Sequence, residues 1–239
     1  MPNPSEAAGL RREERLDACA LSFIAAFVDT WGFIALYGLF TAHVTGNFVL
    51  IGAQLVSQGG ELITKLLALP VFVIAVMAAV ILAGQLRRGG RSPKAVLLWM
   101  EAGLLVGAMV TLIVLQPAAH PDDPPVVVAG MLTAGSMGLQ NALMRIEFAS
   151  LPSTTVMTVN VTQAAIDVAL ILGWDASASK ETSKRDQARV RFARMAPPIL
   201  AFTAGASAGA GGYASLGVWA LLVPATLCSV FAFRFVGRD

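Results

Sequence analysis

"FTAHVTGNFVLIG", residues 40–52, joins two apolar stretches through Thr41, His43, Thr45, Gly46 and Asn47. How this stretch is read decides the fold. Either the segment after it crosses a membrane and the chain makes eight passes, or it turns back and the chain makes six. Irregular backbone at membrane depth is tolerated only where protein or trapped water satisfies its polar groups. The break is therefore expected to face the interior. Gly46 suits a sharp bend there, and the threonine hydroxyls can bond freed carbonyls.

The flanking sequence sets the class. Of 239 residues, 56% are hydrophobic and 13% are charged, and the mean hydropathy is +0.70. A soluble domain carries about twice that share of charge. Leu66–Leu86, Val126–Met144 and Leu216–Phe233 contain no charged residue. Each is about long enough to cross a hydrocarbon core of roughly 30 Å at 1.5 Å per residue. The fold class is therefore all-α, a polytopic membrane protein with one integral membrane domain over residues 1–239. Continuous apolar runs argue against a β-barrel, whose strands alternate in short segments. The N-terminal "RREERLDACALSFIAAF" has the basic start of a leader. Its apolar run continues past Asp29 to Phe40, so it reads as a retained first helix. Cys19 and Cys228 fall within apolar segments and read as small hydrophobes. The net charge of +2 is no nucleic-acid signature, because the basic residues lie between the spans. The expected partners are the lipid bilayer and a small solute or ion, with no nucleic acid, metal or cofactor.

Eight apolar segments can be marked, near 16–40, 46–58, 66–86, 95–116, 126–146, 156–173, 196–213 and 216–235. The second and sixth are short, and each follows a polar break. Positive charge discriminates between the two topologies, since Lys and Arg accumulate on the cytoplasmic side. If the two short segments do not cross and the N-terminus is cytoplasmic, sixteen of the seventeen basic residues lie inside and only Lys65 lies outside. Eight crossings divide them twelve to five. Six crossings are expected, with two short re-entrant helices, both termini cytoplasmic, a tail at 1–15 and a basic cytoplasmic loop at 174–195.

Six crossings form two halves of three, near 16–116 and 126–236, and an odd number per half inverts the second. "VTGNFVLIGAQ" (44–54) aligns with "MTVNVTQAAID" (157–167), placing Thr45 on Thr158, Asn47 on Asn160 and Gln54 on Asp167. Pro70 and Pro197–Pro198 stand near the starts of the third and seventh segments. A 3+3 inverted repeat with interrupted helices is a recurring transporter plan. In the short segments His43, Asn47, Gln54 and Gln58 share one helix face, as do Asn160, Gln163 and Asp167. The two stripes are expected to meet across the pseudo-twofold axis.

"FTAHVTGNFVLIG", "MTVNVTQAAIDVALILG" and six expected spans together resemble the YoaK-like family of small bacterial inner-membrane proteins. The resemblance covers nearly the whole chain. It implies a multi-pass location in the bacterial cytoplasmic membrane. That family is described as of unknown function, so the resemblance implies no substrate and no catalytic residue.

The candidate solute- and ion-binding residues are Asp29, His43, Thr45, Asn47, Asn160, Thr162, Gln163 and Asp167. Asp29 lies about 20 Å into the first span, where a carboxylate is expensive. Its counterpart in the second half is near Asn141. Asp29 and Asp167 are the candidates for proton or cation coupling, or else carboxyls held by helix neighbours. His43 reads either as a proton relay or as a cap on the broken helix. Glu101 is expected to snorkel or to pair with Arg87 or Lys94. Gln140 and Asn141 read as interhelical hydrogen-bonders. "GLLVG" (103–107) and "AGASAGAGG" (204–212) read as close-packing surfaces, and 180–194 as a loop or a headgroup-binding amphipathic helix. His120 with Asp122 and Asp123 is a poor metal motif.

Three functions compete. The leading one is a small secondary transporter or permeation protein, which is not an enzyme, with an occluded polar site between the halves. An intramembrane enzyme acting on lipid or peptide would need Ser136 or His43 as its reactive group, and Ser136 reads as a packing serine. A non-transporting scaffold or accessory protein would use the polar breaks only to hold the fold.

Overall fold

The computed structural model describes residues 12–57, 62–115, 119–155, 157–174 and 182–236. Eight helices follow in order: α1 (Arg12–Ala35), α2 (Gly46–Ser57), α3 (Ile63–Arg88), α4 (Pro93–Val114), α5 (Pro124–Glu147), α6 (Met157–Leu172), α7 (Thr182–Leu216) and α8 (Leu222–Phe235). A 3-10 turn, Gly217–Leu221, joins the last two. No strand occurs among the described residues. Among the described residues five helical stretches are long and apolar enough to cross a membrane: Glu13–Ala35, Ile63–Arg88, Pro93–Val114, Pro124–Glu147 and Ser183–Phe235. The last runs for 53 residues and takes in both α7 and α8. On α3, the exposed residues include Leu66, Leu67, Val73, Ile74, Met77, Val80 and Ile81, an apolar outer surface suited to acyl chains. This is the construction of a multi-pass membrane protein.

Side-chain contacts give the directions of the helices. α1 and α7 run parallel, because Gly205 faces Phe23, Gly209 faces Phe27 and Tyr213 stacks edge-on against Trp31. Trp31 Nε1 donates to Gly217 O at 3.0 Å, and Arg234 reaches back to Asp17 at 3.1 Å. α8 therefore runs antiparallel to α1, and the chain reverses at Gly217, whose φ is +58°. α3 begins beside the end of α1, with Lys65 Nζ donating to Tyr37 O at 3.1 Å. Lys94 and Arg87 gather on Glu147 at the opposite end.

Two crossings bring backbone against backbone. A Cβ on Gly209 would stand 2.5 Å from Phe27 O, and one on Gly205 would strike Phe23 O. Across α5 and α3, a Cβ on Gly138 would lie 2.9 Å from Phe72 O. Only glycine permits such approach, the usual means of close helix packing in a bilayer. "AGASAGAGG" is thus a packing surface. "GLLVG" is not, since Gly103 has nothing within 4 Å and Gly107 meets only Leu132 at 3.6 Å.

Two segment boundaries differ from expectation. α1 ends at Ala35 rather than near Phe40, because Tyr37 takes φ +54° and Gly38 N–H donates to Phe33 O at 2.8 Å, a helix-ending turn. The basic segment expected as a loop is helical from Thr182 onward, as the first turns of α7. Lys, Arg, Gln and Ala are good helix formers. Arg185 Nε also anchors these turns to Ile171 O of α6 at 2.7 Å. Residues 175–181 of that segment lie outside the described residues.

Candidate functional site

Asp29 organises the first break. Its Oδ1 accepts the backbone N–H groups of Thr41 and Ala42, each at 2.7 Å, and the Thr41 hydroxyl at 3.3 Å. Its Oδ2 lies 2.6 Å from His43 Nδ1. Successive amides aimed at one carboxyl oxygen form a nest, which satisfies that buried oxygen from the backbone. Asp29 stands six residues before the end of α1, so the break folds back about 9 Å alongside that helix. From there α2 climbs to the end it came from, where α3 begins. Asn47, 1% exposed, closes the turn: its Oδ1 accepts Phe40 N–H at 2.9 Å and its Nδ2 donates to Phe40 O at 2.8 Å.

The second break repeats this plan with other groups. Asn160 Nδ2 donates to Ser153 O at 2.7 Å, over the same interval of seven residues as Asn47 to Phe40. Thr155 donates its hydroxyl to Asn141 Oδ1 at 2.7 Å, over the same interval of fourteen as His43 to Asp29. Asn141 also stands six residues before its helix ends. α6 then leads back to the start of α7, the end where α5 finished.

The two breaks converge on a cavity of about 730 Å³. Asp29, His43, Thr45 and Gly46 line it from the first half, and Asn141 and Thr158 from the second. Thr30 of α1, Phe72 of α3 and Phe202 of α7 also line it. The aligned pair Thr45 and Thr158 thus shares one space, with the N-terminal ends of α2 and α6 opening onto it. His43 stacks edge-on against Phe202. With Nδ1 engaged by Asp29, its Nε2 is the nitrogen left for the cavity. A second cavity, of about 460 Å³, is lined by Asn141, Thr155, Asn160 and Arg145 among others, so Asn141 borders both.

A family model described as "Protein of unknown function (DUF1275)" matches residues 18–233. The chain belongs to the DUF1275 family. No curated protein and no solved structure matches it. Membership is compatible with the YoaK-like resemblance and assigns this DUF1275 chain no substrate.

Of the sequence candidates, Asp29, His43 and Thr45 come together at the larger cavity. Asn47 and Asn160 spend their amides on their own breaks. Thr162 donates to Thr158 O at 2.8 Å on the exposed side of α6. Asp167, fully buried, takes Arg191 Nη2 at 2.7 Å and Gln163 Nε2 at 3.1 Å, joining α6 to α7. The polar stripes of α2 and α6 do not meet. α2 packs along α3 and α6 along α7, because Arg191 supplies the charge that Asp167 needs. Gln58 lies outside the described residues.

Other expectations in this DUF1275 chain sort by what each side chain touches. Gln140 Nε2 crosses from α5 to Leu21 O of α1 at 2.7 Å, the interhelical bond its type suggests. Asn141 bonds Met137 O of its own helix and Thr155 instead. Ser136, fully buried, donates to Thr133 O three residues back. Asp123 accepts the N–H groups of Ala119 and His120 ahead of α5, which makes that loop a turn. Glu101 neither snorkels nor meets Arg87 or Lys94, which both turn to Glu147. It is wholly buried. Sequence reasoning missed Thr158 as a cavity residue, although its alignment with Thr45 was the signal that could have found it.

Proposed function

We propose that this protein is a small secondary transporter or permeation protein of the bacterial cytoplasmic membrane. In this reading α1, α3, α4, α5, α7 and α8 cross the bilayer, and both termini are cytoplasmic. The breaks with α2 and α6 form two re-entrant hairpins that enter from opposite faces, in a 3+3 inverted repeat. The single observation that carries the reading is the cavity shared by the tips of both hairpins, with Thr45 facing it from one half and Thr158 from the other. The repeated intervals of seven and fourteen residues support the repeat, as does the exchange of partners in which α1 packs on α7 and α5 on α3.

A solute in the cavity meets the threonine hydroxyls, Asn141, the N-terminal ends of two short helices and one imidazole. Half-helix ends at the midplane are a common means of holding a polar or charged solute. Asp29 and His43 form the coupling pair, with the carboxylate fixing the imidazole and Nε2 exchanging a proton with solute or water. Asn47 and Asn160 hold the two tips. Asp167, Gln163 and Arg191 tie α6 to the start of α7.

The test is thermal stabilisation of the purified protein across small metabolites and ions. Any stabilising solute should lose its effect in both Thr45→Leu and Thr158→Leu, with the unliganded melting temperature unchanged. One observation favours the scaffold reading instead: both break asparagines are spent on backbone. A solute effect that survives both threonine substitutions would move the assignment to that reading.

A further inference from the structure

The bundle core consists of two apolar clusters. One holds Ile24, Ala25, Ala102, Leu105, Met137, Ala225 and Cys228. The other holds Ala18, Leu21, Leu97, Leu98, Leu139, Leu143 and Phe231. On each of three helices a buried polar residue falls where one cluster gives way to the other, Ser22 on α1, Glu101 on α4 and Gln140 on α5, and Cys228 of the first cluster faces them from α8. All four have no exposed surface.

Helix register brings them to one level. Leu104 touches the Cβ position of Gly135 at 3.7 Å, and Leu132 that of Gly107 at 3.6 Å, so α4 and α5 run antiparallel. Glu101 lies one turn from Leu104, and Gly138 lies one turn from Gly135 in the same direction, next to Gln140. Gln140 Nε2 in turn donates to Leu21 O, beside Ser22, and the Cys228 thiol stands near the Glu101 carboxyl without a hydrogen bond to it.

Four oxygens of this layer have no hydrogen-bond partner: both of Glu101, Oε1 of Gln140 and Oγ of Ser22. Three of them accept only, whereas the donors at hand are one hydroxyl and one weak thiol. Among the described residues no cation faces the layer, and α7 carries no titratable group between Arg194 and Tyr213. α1 carries only Cys19 as a titratable group between Asp17 and Asp29. α3 carries none between Lys65 and Arg87, and α5 none between Asp123 and Arg145. α8 carries only Cys228 before Arg234, which pairs with Asp17, and Lys94 of α4 itself pairs with Glu147. A bare carboxylate in such surroundings is strongly disfavoured. One added proton removes the charge and supplies the missing donor.

We propose that this layer is a proton-binding site within the membrane interior, in which Glu101 carries the proton and Gln140 and Ser22 supply the oxygens that share it. Uptake forms one O–H bond on Glu101 and cancels one negative charge, and release reverses both with no other reactant. Asp29 and Asp167 each accept hydrogen bonds, whereas neither oxygen of Glu101 has a partner, so Glu101 is the carboxyl poised to exchange a proton. The site stands apart from the cavity and does not depend on a solute binding there.

Infrared spectroscopy of the full-length protein in lipid nanodiscs tests this. Wild type at neutral pH should show a carboxylic-acid C=O band that disappears in Glu101→Gln and shifts in Gln140→Leu. Glu101→Gln keeps the shape and a donor. Should it fail to fold, the shift in Gln140→Leu decides alone. Absence of the acid band in wild type, or a band unmoved by Gln140→Leu, overturns the proposal. Sodium chloride added at fixed pH should leave the band intact. Its loss would make the site one for a metal cation and overturn the proton assignment.

Discussion

His43 Nδ1 lies 2.6 Å from Asp29 Oδ2, while the other oxygen of that carboxylate takes the amides of Thr41 and Ala42. One buried side chain therefore shapes the turn of the first break and orients its imidazole. In the proposed function stability and proton chemistry are joined at Asp29, and variants of the two residues separate them.

Asp29→Asn keeps the shape and loses the charge, and its amide nitrogen cannot serve all the donors that the carboxylate serves. The protein should lose about 1–3 kcal/mol of stability, read as a lower melting temperature without solute. His43→Gln should melt closer to wild type. It should abolish the pH dependence of solute stabilisation. An unchanged pH response in His43→Gln would remove this pair from coupling.

The two asparagine clamps differ in strength. Asn47 makes two bonds to the backbone of Phe40, and Asn160 makes one to that of Ser153. Each stranded buried group costs about 1–3 kcal/mol. Both leucine variants should melt lower before any ligand is added, with Asn47→Leu the more affected. Equal melting of both variants and wild type would mean that the clamps carry no load.

Glycine substitutions separate packing from propensity. Gly209→Ala forces α1 and α7 apart, because its Cβ would stand 2.5 Å from Phe27 O, a backbone atom that cannot rotate away. A clear drop in melting temperature is expected. Gly103→Ala meets nothing within 4 Å and should leave stability unchanged or raise it by up to about 1 kcal/mol.

The proposed membrane orientation rests on the sixteen-to-one division of basic residues. In a background without native cysteines, an impermeant thiol reagent applied from outside should label His120→Cys and spare Gly90→Cys and Arg185→Cys. Labelling of Gly90→Cys from outside would restore eight crossings and remove the inverted repeat.

Hydropathy and local breaks made much of this protein legible in advance. The membrane class, eight helical segments and two short helices after polar interruptions follow from the run of residue types, because a bilayer acts on each segment separately. The pairing of Thr45 with Thr158 and of Asn47 with Asn160 was also legible, because aligned local sequence reports local conformation. What each side chain touches was decided only when the helices packed. Asn47 and Asn160 looked like solute ligands until the breaks folded back beneath them and left carbonyls to satisfy. Asp167 looked free until the first turns of α7 carried Arg191 to it. Glu101 had Arg87 and Lys94 within reach along the chain, but Glu147 took both. Rotation of a helix by half a turn exchanges a lipid-facing residue for a core one, and only the neighbours across the interface determine that rotation.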